Sequence, residues 1–170
     1  MKRLIILLFL TLIAWPSQAQ SREERKQDRQ ERLDEAFNEA KSLVNEGRFE
    51  FNSIWITMRS GVRDRLDGGR GQLIIDGSES SAFLPYFGIV RVAAIYNAGA
   101  IKFEGEMTDY EVDIDDEQRE ITIAYKMSNR KEQYGVNIKF YKGLNATVTI
   151  DSNKRDTIYY DGRVKALDEE

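Results

Sequence analysis

The chain has 170 residues, of which 41% are hydrophobic and 11% aromatic. This composition supplies a core for one folded domain and contains too many aromatic residues for a disordered chain. It has no histidine and no cysteine, so a Ser-His-Asp triad, a Cys-His pair, a thiolate or imidazole zinc site and a disulfide are all excluded. With 25 basic against 29 acidic residues, the net charge of −4 argues against a nucleic-acid partner.

The N-terminus has the pattern of a secretory signal peptide over residues 1–19. Lys2 and Arg3 form its positive end, an apolar stretch spans 4–14, and residues 17–19 read Ser-Gln-Ala, a small-x-small cleavage site. The apolar stretch is shorter than the ~20 residues that a membrane-spanning helix needs. We therefore predict cleavage near Ala19-Gln20 and a periplasmic or secreted product with no transmembrane span in the mature chain.

A charged arm and a helix are predicted next. Residues 20–32 carry no large apolar side chain, so this arm either extends the helix as a frayed segment or is flexible. From Leu33 to Val44, apolar residues recur at steps of three and four, which places one apolar stripe on a helix spanning 33–47. Gly47 can end this helix in the left-handed conformation.

Beyond the helix the apolar pattern changes its period from about 3.6 to 2, which is typical of successive strands. Four alternating runs begin at Tyr110, Ile121, Tyr134 and Leu144, so residues 109–160 are predicted to form an antiparallel meander. One face of this meander is apolar and the other is polar. The dipeptide Lys142-Gly143 between two of the runs suits a tight hairpin.

The earlier strands are less regular. Residues 49–58 have apolar side chains on both faces, so this strand is either buried on both sides for part of its length or carries a bulge. Short strands are predicted around 73–75 and 101–103, and the nearly continuous apolar run 89–95 is typical of a strand covered on both sides.

Together these elements predict a mostly β fold, α+β by content. We expect an antiparallel curved sheet or barrel of roughly nine strands over residues 48–166, with one N-terminal helix packed on it. The helix and the sheet would form a single domain spanning 33–166.

Several short strings resemble a known family. The strings are SAFLPYFG at 81–88, IKF at 101–103 after a glycine turn, GLNA at 143–146 and SN at 152–153. The string at 81–88 resembles the central signature of the domain of unknown function 4251 family, which comprises exported proteins of Bacteroidetes. The likeness covers roughly 49–164 and implies export and a fold, but it brings no catalytic residue to transfer.

The candidate binding residues are Trp55, Tyr86 and Phe87. Pro85 fixes the backbone before two adjacent aromatic residues, which point to opposite faces of an extended chain and would suit the lip of a ligand site. The favoured alternative is rigid packing beside a buried strand, with one ring in the core. Five aromatic residues are predicted to point inward: Trp55, Tyr110, Tyr125, Tyr134 and Phe140.

Two charged segments are weaker candidates. Asp113 and Asp115, within the acidic run 111–117, share a strand face and could hold Ca²⁺, but the EF-hand spacing is absent and a solvated strand face is favoured. Arg63-Asp64-Arg65 and the glycine-rich turn 68–71 could cradle an anion, but the lysine and the Ser/Thr of a P-loop are missing and a mobile hairpin is favoured. We therefore predict no catalytic residue, no metal site and no cofactor.

These patterns favour a non-enzymatic, exported envelope protein that binds a hydrophobic or lipid-like ligand in a β-barrel, unless the helix fills the concave face. The alternative is a protein-protein interaction module of the cell envelope, which would use the charged arm and an uncovered strand edge. A weaker alternative is a carboxylate-only hydrolase acting on glycans, which requires two acids facing one cleft.

Overall fold

The computed structural model describes residues 17–66, 71–91, 99–129 and 132–167. Helix α1 (Ser17–Glu46) ends as predicted at Gly47, whose φ is +65°. Residues 20–32 are therefore helical, which is the first of the two alternatives for the charged arm. No helix within the described residues combines the length and the hydropathy of a membrane span.

Ten strands follow α1 in the described part of the chain, and all of their pairings are antiparallel. They are β1 (Arg48–Met58), β2 (Arg63–Arg65), β3 (Gln72–Asp76), β4 (Glu79–Pro85), β5 (Ala100–Glu106), β6 (Thr108–Asp115), β7 (Glu120–Ser128), β8 (Gln133–Tyr141), β9 (Asn145–Ser152) and β10 (Ile158–Ala166).

The strands form a nearly closed sheet in the order β5-β4-β3-β1-β10-β9-β8-β7-β6, and β2 pairs with β1 beside this path. Only Met107 separates β5 from β6, so the chain leaves one edge of the sheet and immediately begins the other. The predicted meander is confirmed as β6 to β10, and the hairpin at Lys142-Gly143 has the expected positive φ angles of 50° and 77°. The prediction of a mostly β, barrel-like sheet with an N-terminal helix is confirmed.

The helix and the strands share one hydrophobic core. Four side chains from residues 36–46 of α1 are buried in it: Phe37, Ala40, Leu43 and Val44. On the strand side, the rings of Phe49 and Phe140 meet edge to face, with their centroids 6.0 Å apart. The apolar stripe of the helix therefore occupies the same core as the inward side chains of the sheet.

A β-bulge in β1 explains why Trp55 does not point inward. The register of β1 against β10 shifts between Ser53 and Trp55, so the buried side changes from Phe51 and Ser53 to Ile56. Trp55 is consequently 36% exposed, and the prediction that it lies in the core is wrong. The bulge itself was one of the two alternatives for this strand.

The other predictions of buried residues are confirmed in part. Tyr110 was expected in the core but is 40% exposed because β6 is an edge strand, whereas Tyr125, Tyr134 and Phe140 are buried as predicted. The prediction of a covered strand is wrong at Ile89, which is 69% exposed. Residues 92–95 of that predicted strand, and residues 68–70 of the glycine-rich turn, lie outside the described residues.

Candidate functional site

Trp55 lies on the outer face of the sheet, not on its inner face. The guanidinium carbon of Arg63 is 4.9 Å and that of Arg65 is 5.9 Å from the centre of its ring. Arg63 also donates a hydrogen bond of 2.9 Å to Asp161, which accepts a second one, of 2.7 Å, from Thr147. The Trp55 ring is therefore partly accessible to solvent and is flanked by charged side chains.

Tyr86, by contrast, is a buried anchor for the segment that follows β4. Its hydroxyl donates a 2.7 Å hydrogen bond to the carbonyl of Ile89 and lies 3.2 Å from the carbonyl oxygen of Asp156. The guanidinium carbon of Arg155 stands 5.0 Å from its ring centre. Burial raises the pKa of Tyr86, so its phenol is neutral near pH 7. These contacts are those of a packing residue, while the neighbouring Phe87 is exposed.

Replacing Tyr86 with phenylalanine should lower the free energy of unfolding by about 1 kcal/mol, because the part-buried hydrogen bonds from its hydroxyl to the carbonyl oxygens of Ile89 and Asp156 are lost. Urea denaturation measures this change. Phe87→Ala is the control, since truncating an exposed side chain should change stability by less than about 0.5 kcal/mol. Equal stability of Tyr86→Phe and the parent protein would show that the hydroxyl does not anchor this segment.

A buried ion pair lies beside Tyr86. The Nε of Arg155 donates to both carboxylate oxygens of Glu132, at 2.9 and 3.2 Å, and both side chains are 3% exposed. The hydroxyls of Tyr134, at 2.9 Å, and Ser152 also donate to this carboxylate. The sequence pattern does little to predict this ion pair, because both charged residues lie outside the strands in turn-like segments. The one hint is that Ser152 belongs to the SN string of the family resemblance.

Glu50 and Glu132, the buried carboxylates among the described residues, are unsuited to act as general acids near neutral pH. Burial by itself raises the pKa of Glu132, but the hydrogen bonds from Ser152, Arg155 and Tyr134 outweigh it and hold the pKa below its ordinary value of 4.5.

The pKa of Glu50 is lowered for the same physical reason. Burial raises its pKa, while hydrogen bonds from Lys165, Asn52 and Gln72 outweigh that effect and lower it. A glycosidase acid needs a raised pKa, so neither carboxylate supports the hydrolase alternative.

The lowered pKa of Glu132 should make the protein less stable in acid. A folded-state pKa below the unfolded value of 4.5 gives stability that is fully present above pH 4.5 and is lost as the pH falls through the folded value. We expect Glu132→Gln to flatten the fall of the melting temperature below pH 4.5. Glu117→Gln, at an exposed turn, serves as the charge control. Identical acid slopes for Glu132→Gln and the parent protein would contradict the assignment.

Strand β6 is an open edge of the sheet. Among the described strands it pairs only with β7, and seven of its eight side chains are exposed. Tyr110, Val112 and Ile114 are 37–40% exposed, although Val112 and Ile114 lie opposite the fully buried Ile123 and Ile121 of β7. No described strand therefore covers the free side of this apolar row.

The other face of β6 is acidic. Glu111 and Asp113 lie on the outer side of the sheet, opposite Ala124 and Thr122. Of the neighbouring acids, Asp109 accepts a 2.8 Å ion pair from Lys126 and Asp116 accepts one of the same length from Lys41 of α1. Within the described residues, no group of three acidic side chains has the arrangement of a metal site.

The comparisons with known proteins agree with this fold. The family model "Domain of unknown function (DUF4251)" matches residues 31–164. A crystal structure of a DUF4251 family protein from Bacteroides eggerthii DSM 20697 is similar, with a TM-score of 0.61 and 15% identity over 77% of this chain and 87% of that chain. No curated protein sequence matches the chain. Since the family model covers most of the sequence, the chain belongs to the DUF4251 family, a domain of unknown function.

Proposed function

We propose that the protein is a non-enzymatic, exported interaction module of the cell envelope, which binds another protein along the free edge of β6. The observation that carries this proposal is the half-exposed apolar row of β6 beside an unpaired strand edge. A free edge offers main-chain donors and acceptors to an added strand, and alternate side chains give that strand specificity.

The packing of the core supports a partner on the surface over a ligand in the interior. Side chains of α1 are buried in one cluster with the inward residues of the strands. The interior aromatic residues also contact one another, as in the pair Phe103 and Tyr134, whose ring centroids are 5.3 Å apart. A ligand of the size of a lipid would have to displace these side chains, whereas a strand added to β6 displaces none.

Site-specific photo-crosslinking in the periplasm tests the proposal. A photo-reactive amino acid replaces Val112, whose side chain is half-exposed at the free edge, and Lys139 serves as the control position, exposed on the outer face of β8, which is paired on both sides. We expect a discrete protein adduct from Val112 and none from Lys139. Adducts of equal yield from both positions, or none from Val112, would contradict a partner at β6.

The hydrophobic-ligand barrel is the second candidate, and the nearly closed sheet favours it. Native mass spectrometry of residues 20–170, purified from a periplasm and compared with the denatured mass of the same sample, distinguishes the two. An interaction module gives the bare chain mass in both spectra. A bound mass that disappears on denaturation would favour the ligand barrel.

Export of the protein is also proposed, because it is inferred from the signal-peptide pattern at the N-terminus. N-terminal sequencing of the protein recovered from the periplasm should begin at Gln20. A retained Met1 would contradict both the cleavage and the envelope location.

A further inference from the structure

We propose that the segment bound at β6 is an extended strand in which apolar residues alternate with lysine or arginine; this inference rests on the proposed function. An added strand has two faces, because successive side chains of a strand point to opposite sides of the sheet. The two faces of β6 therefore specify the two faces of its partner.

The inner face of β6 calls for apolar side chains. Val112 and Ile114 continue the inward row that Ile123 and Ile121 begin on β7, but they remain 40% and 37% exposed. The ring of Tyr110 lies 6.3 Å from that of the buried Tyr125 and is likewise covered on one side only. Apolar residues at every second position of a neighbouring strand would cover this row and extend the core by one strand.

The outer face of β6 calls for basic side chains. Glu111 and Asp113 project there without an ion pair to any described residue, whereas Lys126 of the neighbouring β7 is already paired with Asp109. Opposite charges on directly facing residues of neighbouring strands stabilise the pair, and like charges destabilise it. A partner with lysine or arginine at its outward positions therefore complements this face.

A second copy of the chain is disfavoured as the partner. Two β6 strands placed edge to edge would bring the acidic outer face of one copy beside the same acidic face of the other. Each copy carries Asp109, Glu111, Asp113 and Asp115 in this strand, and only Asp109 has an ion-pair partner in it or in β7. The acidic face therefore selects a basic strand from a different protein and opposes pairing between copies.

Two labelled peptides test the inference on the mature chain. One alternates lysine with valine, and the other has glutamate at every lysine position. By fluorescence anisotropy at low salt, we expect the lysine peptide to bind at least about tenfold more tightly, and this advantage to shrink as salt is added. The double variant Glu111→Lys/Asp113→Lys should reverse the preference.

A matched control carries the same change of charge on the opposite edge of the sheet. Glu104 and Glu106 lie on β5 and are exposed, so Glu104→Lys/Glu106→Lys should keep the preference for the lysine peptide. Circular dichroism confirms that both double variants are folded. If the β5 variant reversed the preference as the β6 variant does, the effect would come from net charge and the assignment to β6 would be overturned.

The remaining outcomes separate this inference from the proposed function. Equal binding of the two peptides, or binding of neither, overturns the basic-strand partner, while an adduct from Val112 in the periplasm would still support a module that uses β6. Sedimentation of the mature chain as a dimer that Val112→Lys dissociates would overturn the inference in favour of a second copy.

Discussion

Replacing Arg155 with methionine is expected to lower the free energy of unfolding by about 3–5 kcal/mol, because the carboxylate of Glu132 would then be buried without a cation. Both partners are 3% exposed, so water cannot replace the lost guanidinium. In a domain of this size each kcal/mol shifts the melting temperature by about 2–4 °C, which predicts a fall on the order of 10 °C. Calorimetry or thermal circular dichroism measures it directly.

The same substitution at an exposed arginine provides the control. Arg91 pairs with Asp156 at 2.6 Å, but its side chain is 49% exposed, so Arg91→Met should cost less than about 1 kcal/mol. The double variant Glu132→Gln/Arg155→Met should recover part of the loss, since it removes the unpaired charge along with the cation. A single Arg155→Met variant as stable as Arg91→Met would show that the pair does not hold this end of the sheet together.

The strands could be predicted because half-buried antiparallel strands alternate in the sequence, and β7 to β9 do so with few exceptions. Alternation, however, shows which side chains share a face and not how well that face is covered. Tyr110 has the correct period for an inward residue, but no described strand pairs with the second edge of β6, so the ring stays half-exposed. The position of a strand within a sheet depends on the whole fold, and the alternation of apolar and polar residues in the strand itself does not show it.

Trp55 was misplaced for a related reason. Its spacing from Phe49 and Phe51 places all three on one face of a regular strand, and a single extra residue at the bulge reverses the face for everything after it. The sequence indicated that a bulge was one solution for β1 but did not show its position.

The buried pair of Glu132 and Arg155 could not be predicted from local pattern at all. Charged residues in turn-like segments are normally exposed, and these two lie 23 residues apart, in the segments before β8 and before β10. Their burial depends on the segment after β4, which places Tyr86 over Arg155. The predicted candidate Tyr86 and this unpredicted pair thus belong to one packed cluster.

Gly162 lies opposite Ser53 beside the bulge in β1, and replacing this glycine with alanine should be strongly destabilising. A Cβ at this position would lie 2.1 Å from the carbonyl oxygen of Asn52 and 2.8 Å from the ring of Phe51, which is fully buried. Neither neighbour can rotate away, because one is backbone within a paired strand and the other is held in the core. We expect a loss above the ~1–3 kcal/mol that overpacking usually costs, measured by urea denaturation.

Gly135→Ala, in the neighbouring part of the same sheet, is the matched control. Gly135 lies within β8, and its added Cβ would meet nothing closer than the Cβ of Asp151 at 3.9 Å. Since alanine also restricts the unfolded chain more than glycine does, this variant should be neutral or stabilising by up to about 1 kcal/mol. Equal losses for the two variants would mean that glycine serves strand flexibility in general. A loss confined to Gly162→Ala would show that the close approach of β10 to β1 beside the bulge requires a glycine.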